Sequence, residues 1–295
     1  MSDDQRTTGG IDRAAFLATA AVGTGATLLG AAPPPGLGAP HAPFVAESDA
    51  RIVVDRPAVQ SAGRSVETYA ATPHNATATT PGVVVIQAIW GVDAQLRDVV
   101  RRLAVAGYRA VAPNLYTGLD APSGDGATDF QPFRAIAGKL VDATVDADVA
   151  SAAGLIRTRA GKSGLPIGAI GFCMGGGICL RQTVDAAGIF RAASVFYGKV
   201  RYGADAGPLV PIDIAYAGEI GVPVVGSWGG KDTSIKPEDV RSLDAELGRL
   251  GHVHDFKIYE EAGHAFFDDT RPSYVGSAAE DAWQRTLGWF GRYLR

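Results

Sequence analysis

One pentapeptide restricts the folds open to this chain more than any other stretch: Gly171-Phe172-Cys173-Met174-Gly175. Residues 166–170 ahead of it read as a short buried strand. Residues 176–187 behind it read as a helix with apolar positions Ile178, Leu180 and Val184. A chain that passes from strand to helix through so short a segment has to turn sharply, and the central residue takes a strained backbone conformation. Glycines on either side leave room for that turn, and residue 173 is lifted above the carboxyl edge of a sheet. Here the group so presented is a thiol.

The remaining pattern supplies the sheet. Residues 83–86 are a run of apolar residues without alternation, as in a parallel strand covered on both faces. Further strands read at 51–55, 66–72, 108–112, 192–197, 222–227 and 253–259, and helices at 93–106, 146–159, 236–250 and 278–293. Residues 113–134, rich in Gly, Asp and Pro, read as one long loop of the kind that frames an active site. Strands alternating with helices predict an α/β architecture, a mostly parallel sheet with helices on both faces. With 46% hydrophobic residues and no linker after residue 46, residues 47–295 read as a single domain.

Residues 1–46 differ. A polar start is followed by an uncharged run at 14–32, then by Pro33-Pro34-Pro35 and a Gly/Ala/Pro stretch. This layout predicts an export signal and linker, engagement of export machinery and a periplasmic or extracellular location. A retained leader acting as a membrane anchor and a disordered tail are the alternatives. Asp12-Arg13-Ala14-Ala15-Phe16-Leu17 resembles a twin-arginine signal with Ala14 in place of the second arginine. A net charge of −4 without a basic block argues against a nucleic-acid partner. Cys173 and Cys179 are the two cysteines, and their spacing does not suit a disulfide. Catalysis explains a retained thiol at 173, whereas Cys179 reads as core packing.

A thiol attacks as thiolate and needs a base or cation beside it. Of five histidines, His41 lies in the linker, His74 in a turn, and His252 and His254 at the start of a strand without further metal ligands nearby. His264, in Glu260-Glu261-Ala262-Gly263-His264, follows the last strand and leaves the same sheet edge as residue 173. Asp232, in Gly229-Gly230-Lys231-Asp232-Thr233, occupies the corresponding loop one strand earlier. A turn or helix-capping role is its competing explanation. The order nucleophile, acid, histidine is that of α/β-hydrolases. Two backbone N–H groups are needed for an oxyanion, and Met174 and Ile89 are the candidates. Trp90 either lines the acyl pocket or packs.

Together these motifs resemble the dienelactone hydrolase family, cysteine-dependent members of the α/β-hydrolase superfamily. The resemblance runs from about residue 66 to 291. It is carried by Gln87-Ala88-Ile89-Trp90-Gly91-Val92, Ala112-Pro113-Asn114-Leu115-Tyr116, Gly171-Phe172-Cys173-Met174-Gly175-Gly176, Gly230-Lys231-Asp232, Glu261-Ala262-Gly263-His264 and Tyr274-Val275-Gly276-Ser277-Ala278-Ala279. It implies a Cys173-His264-Asp232 triad needing no metal or organic cofactor, and hydrolysis of a small ester or lactone. Trp90, Arg134, Tyr197, Phe266 and Arg271 are the candidate substrate-binding residues. Two positions depart from the family pattern. Ala88 replaces a glutamate that contacts the resting thiol, which leaves open a thiolate paired with His264 or an ungated thiol. Asp268 stands where dienelactone-cleaving members carry an arginine for the substrate carboxylate. That exchange predicts a neutral substrate rather than dienelactone. A catalytically silent small-molecule binder on the same fold is the rival reading, and a thiol redox role for Cys173 a weaker third. The oligomeric state is not legible in the sequence.

Overall fold

The computed structural model describes residues 38, 39, 41–185, 188–200 and 214–295. The leader and proline run read at 14–35 lie outside the described residues, as do residues 186 and 187 of the expected helix. Among the described residues there are nine strands: β1 (Ile52–Asp55), β2 (Ala58–Ser61), β3 (Arg64–Pro73), β4 (Gly82–Ile86), β5 (Arg109–Pro113), β6 (Ile167–Phe172), β7 (Ala192–Phe196), β8 (Val224–Gly229) and β9 (His254–Tyr259). They form a sheet in the order β1-β3-β5-β4-β6-β7-β8-β9, with β2 paired to the start of β3. From β5 to β9 every neighbouring pair is parallel, while β1 and β3 run antiparallel at one edge.

Among the described residues six α-helices connect or flank the strands: α1 (Ala94–Val105), α2 (Gln131–Ala137), α3 (Asp142–Ala160), α4 (Met174–Asp185), α5 (Pro237–Leu250) and α6 (Gly276–Tyr293). Two glycines show that both sheet faces are covered. A Cβ on Gly82 would stand 2.5 Å from Ile156 of α3, whereas one on Gly168 would stand 2.9 Å from Phe290 of α6. Gly82 is paired in register with Ile167, the neighbour of Gly168. Side chains alternate along a strand, so α3 and α6 lie on opposite faces. Double cover explains why β4, β6, β7 and β8 are buried at every position.

Three elements depart from the sequence reading. The long loop 113–134 is interrupted by α2, which begins at Gln131. β2 joins β3 through Ala62 and Gly63, both at positive φ (47° and 75°), a tight hairpin that the sequence reading missed. The segment read as linker up to residue 46 also packs onto the body. The Phe44 and Val45 N–H groups donate to Asp98 of α1 at 3.1 and 2.9 Å, Arg101 donates back to the Val45 carbonyl, and Gly38 N–H donates to the Asp269 carbonyl at 2.7 Å. The packed body therefore takes in residues ahead of position 47.

Strand order reverses around β4: β5 lies on one side and β6 on the other. In open α/β sheets the crevice at the carboxyl ends beside such a reversal is the usual ligand site. The loops after β4, β6, β8 and β9 all emerge on that edge.

Candidate active site

The turn after β6 is as tight as its sequence demands. Cys173 has φ +53°, a left-handed conformation that costs a non-glycine residue on the order of 1–3 kcal/mol. Surrounding contacts hold it there. A Cβ on Gly171 would lie 1.9 Å from the Gly175 carbonyl oxygen, and one on Gly175 would lie 2.3 Å from that of Ile86. The Cys173 N–H donates to the Phe196 carbonyl at the end of β7, 3.0 Å away. Helix α4 starts at Met174 rather than Gly176, so the sulfur sits directly at a helix N-terminus, where the helix dipole favours negative charge.

Three side chains from three loops meet at this point. His264 Nε2 lies 3.1 Å from Cys173 Sγ, and His264 Nδ1 lies 2.7 Å from Asp232 Oδ2. Asp232 is buried and divides its oxygens: Oδ1 accepts the N–H groups of Ser234 and Ile235 at 2.7 and 2.9 Å, leaving Oδ2 for the imidazole. The turn-capping and imidazole-holding roles weighed for this residue thus coexist. The loops after β8 and β9 are pressed together. Lys231 N–H donates to the Ala262 carbonyl at 2.9 Å, and a Cβ on Gly229 would come within 2.4 Å of the same oxygen.

Burial opposes a charge on His264, but its hydrogen bonds to Asp232 and Cys173 and the negative charge of both partners outweigh that cost. Its pKa is raised from 6.5 to about 10. Tyr197, at φ +38° after β7, packs its ring edge-on to the imidazole with centroids 5.2 Å apart.

The loop after β4 closes as a turn, with Gly91 N–H donating to the Ala88 carbonyl at 3.2 Å. Ile89 and Trp90 occupy its middle. Neither the Ile89 nor the Met174 N–H is taken up in the described turn, loop and cap hydrogen bonds between backbone groups. Tyr116, which sequence reasoning did not single out as a functional residue, donates its hydroxyl to the Ile89 carbonyl at 2.8 Å and lies 3.9 Å from Met174 Sδ. Its place in Pro113-Asn114-Leu115-Tyr116, at the end of a strand reaching the same edge, was the available signal.

The candidate substrate-binding residues fare differently. Trp90 is half-buried; its ring meets Phe133 of α2 edge-on at 5.1 Å and lies under the Arg271 guanidinium at 3.7 Å. Arg271 is already committed: Nε pairs with Asp268 at 3.0 Å, Nη1 donates to the Ala127 carbonyl at 2.6 Å, and Nη2 lies 3.7 Å from Asp93. It is therefore a wall-building residue, not a free cation. Phe266 is fully buried against Tyr197 and Tyr259, so it backs the site without facing it. Tyr197 is nearly as buried and supports the imidazole. Arg134 is exposed on α2, and it is Phe133 of that helix that reaches Trp90. Asp268, expected to project a negative charge, is buried beneath Arg271, and its carboxyl is raised above the ordinary 3.8 by burial. Cys179 is a buried free thiol whose Sγ faces the Ser194 carbonyl at 3.6 Å. Among the described residues no group of three or more His, Cys, Asp or Glu is arranged to hold a metal ion.

The family model for "Dienelactone hydrolase family" matches residues 66–294. An Escherichia coli (strain K12) protein named "Putative carboxymethylenebutenolidase" is 34% identical over 254 residues, covering 85% of this chain and 91% of that protein. A crystal structure titled "Putative Dienelactone Hydrolase from Klebsiella pneumoniae subsp. pneumoniae MGH 78578" superposes with a TM-score of 0.72 and 33% identity, over 82% of this chain and 99% of that one. At the level of fold alone, the acylaminoacyl peptidase of Pyrococcus horikoshii matches with a TM-score of 0.62 and 14% identity, over 83% of this chain and 42% of that one.

Proposed function

The chain belongs to the dienelactone hydrolase family of α/β-hydrolase-fold enzymes, and from that premise we propose that it cleaves uncharged carboxylic esters or lactones through a thioester on Cys173. The observation that carries this reading is the continuous contact from Cys173 Sγ through the imidazole to the buried Asp232 carboxylate.

With its pKa raised to about 10, His264 is protonated at neutral pH and places a cation 3.1 Å from Cys173 Sγ, the setting in which a cysteine attacks as thiolate. This favours the ion-paired state of the two that Ala88 left open. The thiolate adds to the ester carbonyl, and the Ile89 and Met174 N–H groups receive the developing oxyanion. As the intermediate collapses, the carbon–oxygen bond to the alcohol breaks and His264 donates its proton to that leaving oxygen. Acylation removes the negative charge from sulfur, and one of the two influences raising the histidine pKa goes with it. Neutral His264 then takes a proton from water as the water oxygen attacks the thioester. Departure of the acid restores the thiolate and imidazolium. Asp232 holds the ring in place and stabilises the imidazolium through its Nδ1 contact.

Support for an uncharged substrate comes from the wall around Trp90. The guanidinium of Arg271 is spent on Asp268, Ala127 and the indole, and two buried carboxyl groups, Asp93 and Asp268, stand beside it. The silent-binder reading gains nothing from this geometry. Cys173→Ala should lower turnover of a short aryl acetate by at least about a thousandfold with the fold retained. The wild-type enzyme should prefer that acetate over the matching ester with a free carboxylate. Full activity in the variant would overturn the nucleophile, and preference for the anionic ester would overturn the substrate class. We also propose, on sequence grounds, that the leader directs export; N-terminal sequencing of protein recovered from outside the cytoplasm tests it.

A further inference from the structure

The turn after β4 leaves its middle peptide without a partner inside the turn. Gly91 N–H closes the turn onto Ala88, and the Ile89 carbonyl takes no part in that closure. One side chain supplies the missing donor. Tyr116 is buried at 4% exposure, and its hydroxyl donates to that carbonyl at 2.8 Å while lying 3.9 Å from Met174 Sδ. The same group therefore touches both residues whose N–H groups are assigned to the oxyanion.

Tyr116 is itself held firmly. Its N–H donates to Asn114 Oδ1 at 3.1 Å, and the preceding Leu115 N–H donates to Gln87 Oε1, also at 3.1 Å. Its ring fills the space beside Gly91, where a Cβ would stand 3.4 Å from Tyr116 Cδ2. Gly91 has φ +78°, so a side chain there would carry backbone strain as well. The ring thus fits flush against the turn, and the hydroxyl locks it.

We propose that Tyr116 is the positioning residue of the oxyanion site: its hydroxyl fixes the Ile89–Trp90 peptide, and through it the direction of the Ile89 N–H relative to that of Met174. The proposal rests on the thioester reading above. Burial, followed by the nearby Cys173 charge, keeps the phenol protonated far above neutral pH, so it remains a donor throughout the cycle.

Tyr116→Phe keeps the ring and deletes only the hydroxyl. For a neutral aryl acetate, kcat should fall by about tenfold to a hundredfold with KM within about twofold, since the lost alignment matters chiefly in the transition state. Alkylation of Cys173 by iodoacetamide at neutral pH should stay within about twofold of wild type, because the sulfur–imidazole pair is untouched. Unchanged kcat would overturn the proposal. So would a parallel fall in kcat and alkylation rate, which would place the hydroxyl's effect on the sulfur. Cys173→Ala measured alongside keeps the two levels apart: full activity there removes the thioester reading, whatever Tyr116→Phe does.

Discussion

In the proposed mechanism the proton on His264, beside Cys173, decides how this site behaves with pH. In the folded protein the His264 pKa is raised to about 10, whereas an unfolded chain releases the imidazole proton near the ordinary 6.5. The stability it contributes is therefore fully present below 6.5 and fades as pH rises through about 10. Two outcomes follow. Iodoacetamide should alkylate wild-type Cys173 rapidly at pH 7, whereas in His264→Ala alkylation should become rapid only as pH rises toward the ordinary thiol range. The stability of the wild type relative to His264→Ala, from urea denaturation, should also shrink between pH 7 and 10. Equal alkylation profiles would show that sulfur and imidazole do not share a proton. These three residues were legible because strand-end loops in the right order leave few places for them. Tyr116 was not legible as a functional residue, since its role depends on a carbonyl donated to from across the site. Arg271 was legible as a nearby cation, but its commitments to Asp268, Ala127 and Trp90 exist only in three dimensions.

At the scale of elements, glycine requirements separate the turn after β6 from the helices. Gly175→Ala would drive a methyl to within 2.3 Å of the Ile86 carbonyl and 2.4 Å of that of Gln87. Backbone cannot yield there without opening β4 from the turn, so a loss of about 3 kcal/mol or more is expected in thermal or urea unfolding. Gly154, inside α3 with nothing within 4 Å of its missing Cβ, predicts the opposite. Gly154→Ala should gain about 0.5–1 kcal/mol, because alanine gives up less backbone freedom in a helix. If both were neutral, the turn would be looser than its geometry implies. The apolar runs that revealed β4, β6, β7 and β8 are those buried on two faces, where sequence and environment agree. β2 and α2 escaped notice for the contrary reason. β2 alternates over only four residues beyond a mixed-polarity hairpin, and α2 is seven residues without a side-chain N-cap, inside a Gly/Pro-rich stretch. Burial of Phe133 and Ile136, a tertiary matter, holds α2 in place.

Across the whole molecule, a buried charge network joins the segment before β1 to the loop that carries His264. Asp98 accepts from the Phe44 and Val45 N–H groups and pairs with Arg101 and Arg102, and Arg102 also pairs with Asp269. Phe44 lies against the Arg102 guanidinium at 4.3 Å. Composition marked this segment as linker because glycine, alanine and proline dominate; the hydrogen bonds that dock it come from α1 and, at Gly38, from Asp269 in the loop after β9. Asp98→Ala strands two backbone donors and leaves Arg101 and Arg102 each short of one carboxylate partner. Arg102 keeps Asp269 and Arg101 the Val45 carbonyl, so the change should cost about 2–4 kcal/mol in urea unfolding. A loss under about 1 kcal/mol would mean that the segment is only loosely attached. The sheet's larger task is to bring the ends of β4, β6, β8 and β9 to one edge, and the proposed thioester depends on that meeting. Rapid mixing with an activated aryl ester, acid quench and intact-mass measurement tests this most directly. One added acyl mass is expected, mapped to the peptide containing Cys173 and absent from Cys173→Ala. Turnover of that ester with the acyl group on another residue, or with the adduct persisting in Cys173→Ala, would contradict it.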